Sequence, residues 1–476
     1  MPYLLHLITI KSGIRSEYTC RIKSTGIREN DMNKKNYGLF TAITMITGVV
    51  IGSGIFFKSD DILTYTNGNM LLGVLVFVIA AIAIIFGCLT ISQLATRTDK
   101  PGGIIAYAQE FVNIKVASAF GWFQTFLYLP TLTAVISWVA GLYFCQLFNI
   151  PGSVGMYSLL GIGFTLVLCV LNLVSAKLGG MFQNAAMLIK LVPLLLVGIA
   201  GFIFGNPATI AQSDLETIRT TSVGTAWFAA FAPIAFSFDG WIVATSISNE
   251  IKNSKRNLPI ALICAPIVIL LAYITYFLGV SSLIGPDEVV RLGDNSVNEA
   301  FRQLIGDTGS KVLLVFIVIS VLGTLNGLII GLVRMPYSLA IRNMIFSPKV
   351  LGRESKTFGG MPINSAIFGL TLTLIWALIH YLTMKAGMQG DVSEISICVS
   401  YLNYCVLYIV VMRLAKRGEI KNKFMGFVVP ILAIFGSFVI LLGSISHPYF
   451  PIYLIICLSI MFVGYLYGGN AKKIQY

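Results

Sequence analysis

Apolar residues run through this chain in long stretches separated by short polar punctuation, without the strict alternation of a half-buried strand. The stretches match the roughly 20 residues that a helix needs to cross about 30 Å of hydrocarbon, where no unpaired backbone group finds water. Twelve spans are predicted, at residues 39–64, 69–95, 116–147, 155–175, 181–205, 224–250, 258–284, 311–343, 362–385, 392–414, 424–445 and 449–468. The expected fold is an all-α polytopic membrane protein.

Two spans are interrupted in mid-membrane. The first reads Gly48-Val-Val-Ile-Gly-Ser-Gly54 and the sixth Phe236-Ser-Phe-Asp-Gly240. Glycine there lowers helix stability by up to about 1 kcal/mol relative to alanine. Each interruption opens a unit of five spans, and an odd number of spans makes the second unit enter the bilayer from the opposite side. Helices 1 and 6 are therefore expected to be broken, in a 5+5 inverted repeat followed by two C-terminal helices. The divisions expected are an N-terminal tail (1–36), a first repeat (37–205), an extracellular connection (206–223), a second repeat (224–417), and helices 11 and 12 with the C-terminus (418–476). Residues 1–31 precede a conventional start, Met32-Asn-Lys-Lys35, and are expected to be an upstream extension or tail.

Composition agrees with a lipid solvent: 56% of residues are hydrophobic, 11% are charged and the mean hydropathy is +0.84, against roughly a quarter charged in soluble domains. The net charge of +13 forms no basic domain that would dock nucleic acid. It follows topology instead. Lys177, Lys252, Arg256, Arg342, Lys349, Arg353 and Lys416 fall in one set of connections, and Asp60, Asp61, Asp214, Asp287, Asp294 and Asp391 in the other. The positive-inside bias places both termini in the cytoplasm. The eight cysteines lack metal-ligand or disulfide-framework spacing, and no Asn-x-Ser/Thr sequon occurs, which favours a prokaryotic inner membrane. His6, His380 and His447 lie far apart, and no phosphate-cradling glycine loop exists. An enzyme, an ATP-driven pump, a metal site or a cofactor would lack residues to carry it.

A helix broken in hydrocarbon must line a cavity or bury against protein. At Gly52-Ser53-Gly54 a ligand can approach the backbone, and the half-helix from Ile55 turns its positive dipole end toward a carboxylate. The preceding turn, at Val50 and Ile51, offers carbonyls to an ammonium. The competing reading of Gly48 and Gly52 is a small-residue helix contact. The matched break favours a substrate site comprising Val50, Ile51, Gly52, Ser53, Gly54, Ile55, Phe236, Ser237, Asp239 and Gly240. Asp239 has several open roles: drawing in an ammonium, bonding free N–H groups, moving a proton, or capping the second half-helix. Phe236 on sequence alone reads as a core position more readily than as a gate. Lys190, in Met187-Leu-Ile-Lys-Leu-Val-Pro193, either snorkels to the cytoplasmic edge or is a fixed cation bridging span five to the broken span one.

At these residues the sequence resembles the amino acid, polyamine and organocation (APC) superfamily, and within it the L-amino acid transporter (LAT) family with its bacterial serine/threonine-type exchangers. The resemblance runs from about residue 36 to the end. It rests on Gly48-Val-Val-Ile-Gly-Ser-Gly-Ile-Phe56, Lys100-Pro-Gly-Gly-Ile-Ile-Ala-Tyr107, Phe236-Ser-Phe-Asp-Gly-Trp241, Asn249-Glu-Ile-Lys-Asn253 and Arg256-Asn-Leu-Pro259. It implies a LeuT-like fold with alternating access. The substrate carboxylate would meet N–H groups near Ser53 and Gly54, and the amine the carbonyls of Val50, Phe236 and Asp239. Phe236 would act as a gate, and Lys190 would stand where sodium-coupled relatives bind a cation, making transport sodium-independent. Two departures are Asp239, where many animal members have glycine, and the absence of cysteine at 149–155, which argues against a disulfide-linked heavy chain. The expectation is exchange of small neutral L-amino acids (Ala, Ser, Thr, Cys class). The alternatives are a proton-coupled amino acid or polyamine importer and, in another class, a non-transporting sensor or a channel.

Overall fold

The computed structural model describes residues 38–471 apart from 53, 99–102, 175–185, 187–188, 221–223, 243–250, 356–360, 389 and 446–448. Among the described residues the chain is helical, without a strand. The first apolar run forms two helices, α1 (Leu39–Val50) and α2 (Gly54–Tyr65). There follow α3 (Met70–Ala95), α4 (Gly103–Phe111), α5 (Ile114–Phe148), α6 (Val154–Val174), α7 (Leu191–Phe204), α8 (Pro207–Thr220) and α9 (Ala226–Ser237). The rest are α10 (Ser254–Ile284), α11 (Ser296–Ile341), α12 (Ile363–Lys385), α13 (Val392–Lys416), α14 (Phe424–Ile445) and α15 (Phe450–Tyr467).

Among the described residues nine helices are long and apolar enough to cross a membrane, ten if the bent pair α7 and α8 is one span. The chain is thus a multi-span membrane protein. The expected spans outside the nine are 39–64, which is two short helices, and 181–205 and 224–250, which lie partly outside the described residues. The rim is lipid-compatible: α6 exposes Leu159, Val167 and Val170, and α15 exposes Ile452, Ile455 and Phe462.

The stretch 206–223, expected to be an extracellular connection, contains α8, which leaves α7 at an angle of 83°. Asp214 on α8 accepts hydrogen bonds from the backbone N–H of Met70 (2.7 Å) and Leu71 (3.1 Å). These are two of the donors that the first turn of α3 cannot satisfy internally. Asn69 fills the cap itself, accepting from the Leu72 N–H at 2.9 Å.

The core of the bundle gathers α1 and α3 against α10, and α2 against α9, with α13 and α14 closing the far side of α9. The α7–α10 contact is unusually close. A Cβ added at Gly201 would fall 2.2 Å from the Cα of Gly279, so the two backbones touch and only glycine fits. α5 contains one π turn, Gln124–Tyr128. The wider turn loosens the backbone ladder, and the Trp376 indole donates to the Phe126 carbonyl at 2.9 Å in compensation.

Candidate functional site

The break in the first span is a real end of helix. α1 stops at Val50, Ile51 turns to an extended conformation (φ −65°, ψ 95°), and α2 starts at Gly54. Ser53 lies outside the described residues. On the other side α9 ends at Ser237, and Phe238, Asp239 and Gly240 form a turn in which Gly240 adopts φ 95°, a left-handed value that L side chains rarely take. The continuation at 243–250 is not described.

The two breaks face each other. A Cβ at Gly54 would lie 2.9 Å from Phe236 Cδ1 and 3.0 Å from the Ser237 Cα, so the first residue of α2 rests directly on the last turn of α9. Phe236 is buried, and its ring meets Phe57 edge-on at 5.3 Å. Val50, Ile51, Gly52, Gly54 and Ile55 are all buried beside it.

Tyr273, on α10, ties the loose ends together. Its hydroxyl donates to the Ser237 carbonyl at 2.8 Å and reaches the Val50 carbonyl at 3.3 Å. These are last-turn acceptors left free where α1 and α9 stop. A hydroxyl has one proton, so it satisfies the two carbonyls unequally, and they retain capacity to accept from another donor.

Asp239 is half-buried, and its carboxylate is engaged by the hydroxyl of Tyr128, the residue that closes the π turn of α5. The turn thus directs a tyrosine from α5 onto the second break. Three residues on, the Thr131 hydroxyl meets the Ser396 hydroxyl of α13 at 2.8 Å.

Lys190 is 2% exposed, at the residue that precedes α7, so it does not snorkel to water. Its ammonium donates to the Thr324 hydroxyl on α11 at 3.2 Å. Thr324 in turn fills the space beside Gly52, 3.3 Å from where a Cβ would be. Lys190 therefore reaches the neighbourhood of the first break through one threonine. A second polar contact ties α6 to α11, with Asn172 Nδ2 donating to Asn326 Oδ1 at 2.6 Å.

A charged cluster crowns the same pair of half-helices. Lys58 on α2, 3% exposed, contacts Glu394 (2.5 Å), Asp391 (2.8 Å) and Asp61 (3.1 Å). Its ammonium also lies 5.6 Å from the Phe236 ring centroid. Asp391 caps α13, accepting from the Ser393 N–H at 2.7 Å. Burial opposes ionisation of Asp391, but the Lys58 ammonium, His380 and the Ser393 hydrogen bond together outweigh it and hold the carboxyl below its ordinary range.

Sequence reasoning brought Val50, Gly52, Gly54, Phe236, Ser237 and Asp239 to one place as a set, and missed the groups that hold them: Tyr273, Thr324, Tyr128 and Lys58. Tyrosines and threonines inside apolar runs carry no distinguishing pattern. The one available signal was Lys58, a cation directly after the apolar run Ile55-Phe-Phe57.

Helices that stop in mid-bundle, face each other and leave backbone acceptors around a glycine are the signature of a secondary transporter site. The amino acid permease family profile matches residues 37–465, nearly the whole chain, and the chain belongs to that family within the APC superfamily. Among its relatives, the serine/threonine exchanger SteT of Bacillus subtilis is 29% identical over 451 residues, covering 94% of this chain and 99% of the relative. The human b(0,+)-type amino acid transporter 1 is 25% identical over 468 residues, covering 92% and 90%. The mouse Asc-type amino acid transporter 1 is 25% identical over 436 residues, covering 87% and 77%. Amino acid transport is thus the activity of the group to which the chain belongs.

Proposed function

We propose that the chain is a sodium-independent exchanger of small neutral L-amino acids, of the alanine, serine, threonine and cysteine class, working by alternating access. Twelve helices form its five-plus-five inverted repeat with two C-terminal helices, both termini cytoplasmic in a prokaryotic inner membrane, and no heavy-chain partner is attached. The main support is the junction of α1, α2 and α9, where Tyr273 gathers two free carbonyls while Gly54 leaves the start of α2 bare. The substrate carboxylate meets N–H groups at Ser53, Gly54 and Ile55, at the positive end of α2. The ammonium meets the carbonyls of Val50 and Ser237, beside Gly240 and Asp239. Phe236, already lying against Gly54, is the gate. A small substrate suits so tightly packed a junction, and the name of the relative SteT, a serine/threonine exchanger, is in keeping with it.

Lys190 supports the sodium-independent part. A tethered ammonium beside Thr324 and Gly52 supplies a fixed positive charge at the place where a coupling cation would otherwise join span five to the first break.

The test is exchange in proteoliposomes. Vesicles preloaded with serine should take up labelled serine many times faster than empty vesicles, equally in sodium and choline media. Equal rates in loaded and empty vesicles refute exchange, and sodium dependence refutes the role given to Lys190. Asp239, with its Tyr128 partner, favours a second reading in which this carboxylate carries a proton with the substrate. That reading gains if uptake into empty vesicles follows an imposed pH gradient and Asp239→Asn abolishes the response.

A further inference from the structure

Beyond the break, a cavity of about 220 Å³ opens at the acidic end of the bundle, between α2, α5, α12 and the turn before α11. One water needs only about 10–15 Å³ of such space, so the cavity has room for a small metabolite rather than a single ion. Asp60, Asp61, Asp294 and Asp391 line it, against the one lining cation, Lys58. That ammonium is already held by Asp391, Glu394 and Asp61. Among the described residues no other lysine or arginine lines the cavity, so its carboxyl groups outnumber its cations and a ligand ammonium would have several of them to pair with.

Acidity alone would not make a site. Two buried polar side chains on the cavity wall have no hydrogen-bond partner among the described residues. His380 on α12 is 2% exposed with both ring nitrogens unpaired, and Trp138 on α5 is 6% exposed with its indole N–H unpaired. The two rings pack edge to face at 5.5 Å, which holds them in place. Unpaired buried donors and acceptors are costly and are retained where something else satisfies them.

We propose that this cavity is a second binding site, separate from the helix break, for small organic amines that also carry a hydrogen-bond acceptor. The ammonium is drawn by Asp60, Asp61 and Asp294. The indole N–H of Trp138, a donor only, takes the ligand's oxygen, and a neutral His380 supplies one donor and one acceptor. Phe57, Val135 and Met384 cover the aliphatic stem. A bare metal ion fits poorly, because among the described residues no three His, Cys, Asp or Glu groups converge in a metal-holding arrangement. With carboxylates in excess, a ligand of net positive charge binds better than a zwitterion. The site does not depend on which solute crosses at the break.

Calorimetric titration of the purified full chain with 2-aminoethanol, L-serine and propionate tests this. The expected order is 2-aminoethanol above serine at this site, with no heat from propionate. Asp60→Asn with Asp294→Asn should weaken 2-aminoethanol binding at least tenfold. Trp138→Phe should weaken it several-fold, and Lys190→Ala should leave it unchanged. Should the double variant fail to melt cooperatively, Asp294→Asn alone, in a turn outside the core, serves the same purpose. Unaltered amine binding in the aspartate variants, or its loss in Lys190→Ala, would overturn the proposal. Failure of serine exchange with amine binding intact would instead count against the transport reading.

Discussion

Gly54→Ala is the sharpest probe of the junction, because two effects of known sign oppose each other there. As the first residue of α2, alanine is favoured over glycine by up to about 1 kcal/mol of helix propensity. The added methyl, however, would sit 2.9 Å from Phe236 Cδ1 and 3.0 Å from the Ser237 Cα. The ring can turn away, but the Cα belongs to the backbone of α9 and cannot yield without moving the helix. Overpacking of this kind costs about 1–3 kcal/mol. Subtracting the full propensity gain leaves up to about 2 kcal/mol against the packed arrangement, a factor of up to roughly 30 in its population. Serine exchange in proteoliposomes should fall by about that factor, with the protein still monodisperse and folded. Adding Phe236→Leu should restore part of the rate, since it removes one of the two contacts but leaves Ser237. Exchange at the unsubstituted rate in Gly54→Ala would refute the inference that transport passes through contact of α2 with α9.

Other outcomes follow from the same geometry. Tyr273→Phe removes the hydroxyl shared by Val50 and Ser237, and should cost about 1–3 kcal/mol if the buried carbonyls go unsatisfied; a lowered midpoint of thermal unfolding in detergent measures it. Lys190→Ala should abolish exchange while the melting profile stays cooperative, and unchanged exchange kinetics would remove Lys190 from the mechanism. Asp391 has a depressed folded pKa, so its contribution to stability is complete above the unfolded value of about 3.9 and is lost only as pH falls through the lower folded value. The wild type should therefore keep the Lys58–Asp391 ion pair down to about pH 4. Asp391→Asn should loosen the Lys58 cluster at neutral pH, read as faster labelling of a cysteine placed at Thr64, an exposed position at that end.

How much of this was readable in advance depends on distance along the chain. The helix break at Val50 and Gly54 was legible because glycines inside an apolar run are a local signal. The membrane class was legible because hydrocarbon leaves few choices for a backbone. The Lys58 to Glu394 contact joins residues 336 apart, and Tyr128 to Asp239 joins residues 111 apart. Neither pairing leaves a periodic trace, since each partner sits in a run whose pattern is already explained by lipid. The helix α8 within 206–223 left no signal because it is polar, with Asp214 and Glu216 on it, and its anchor is the start of a helix some 140 residues earlier.

The glycine contact between α7 and α10 bears on how such a bundle can move. Where backbone meets backbone, as at Gly201 and Gly279, there is no side-chain layer to shear, so neither helix can slide or roll without the other. Tyr273 stands on one of this pair, and Lys190 stands at the head of the other. The hydroxyl that gathers the loose carbonyls and the ammonium that reaches Thr324 thus ride on one rigid post. In the alternating-access cycle proposed above, this post is the part expected to keep still, and the joints are expected in the residues that are not helical.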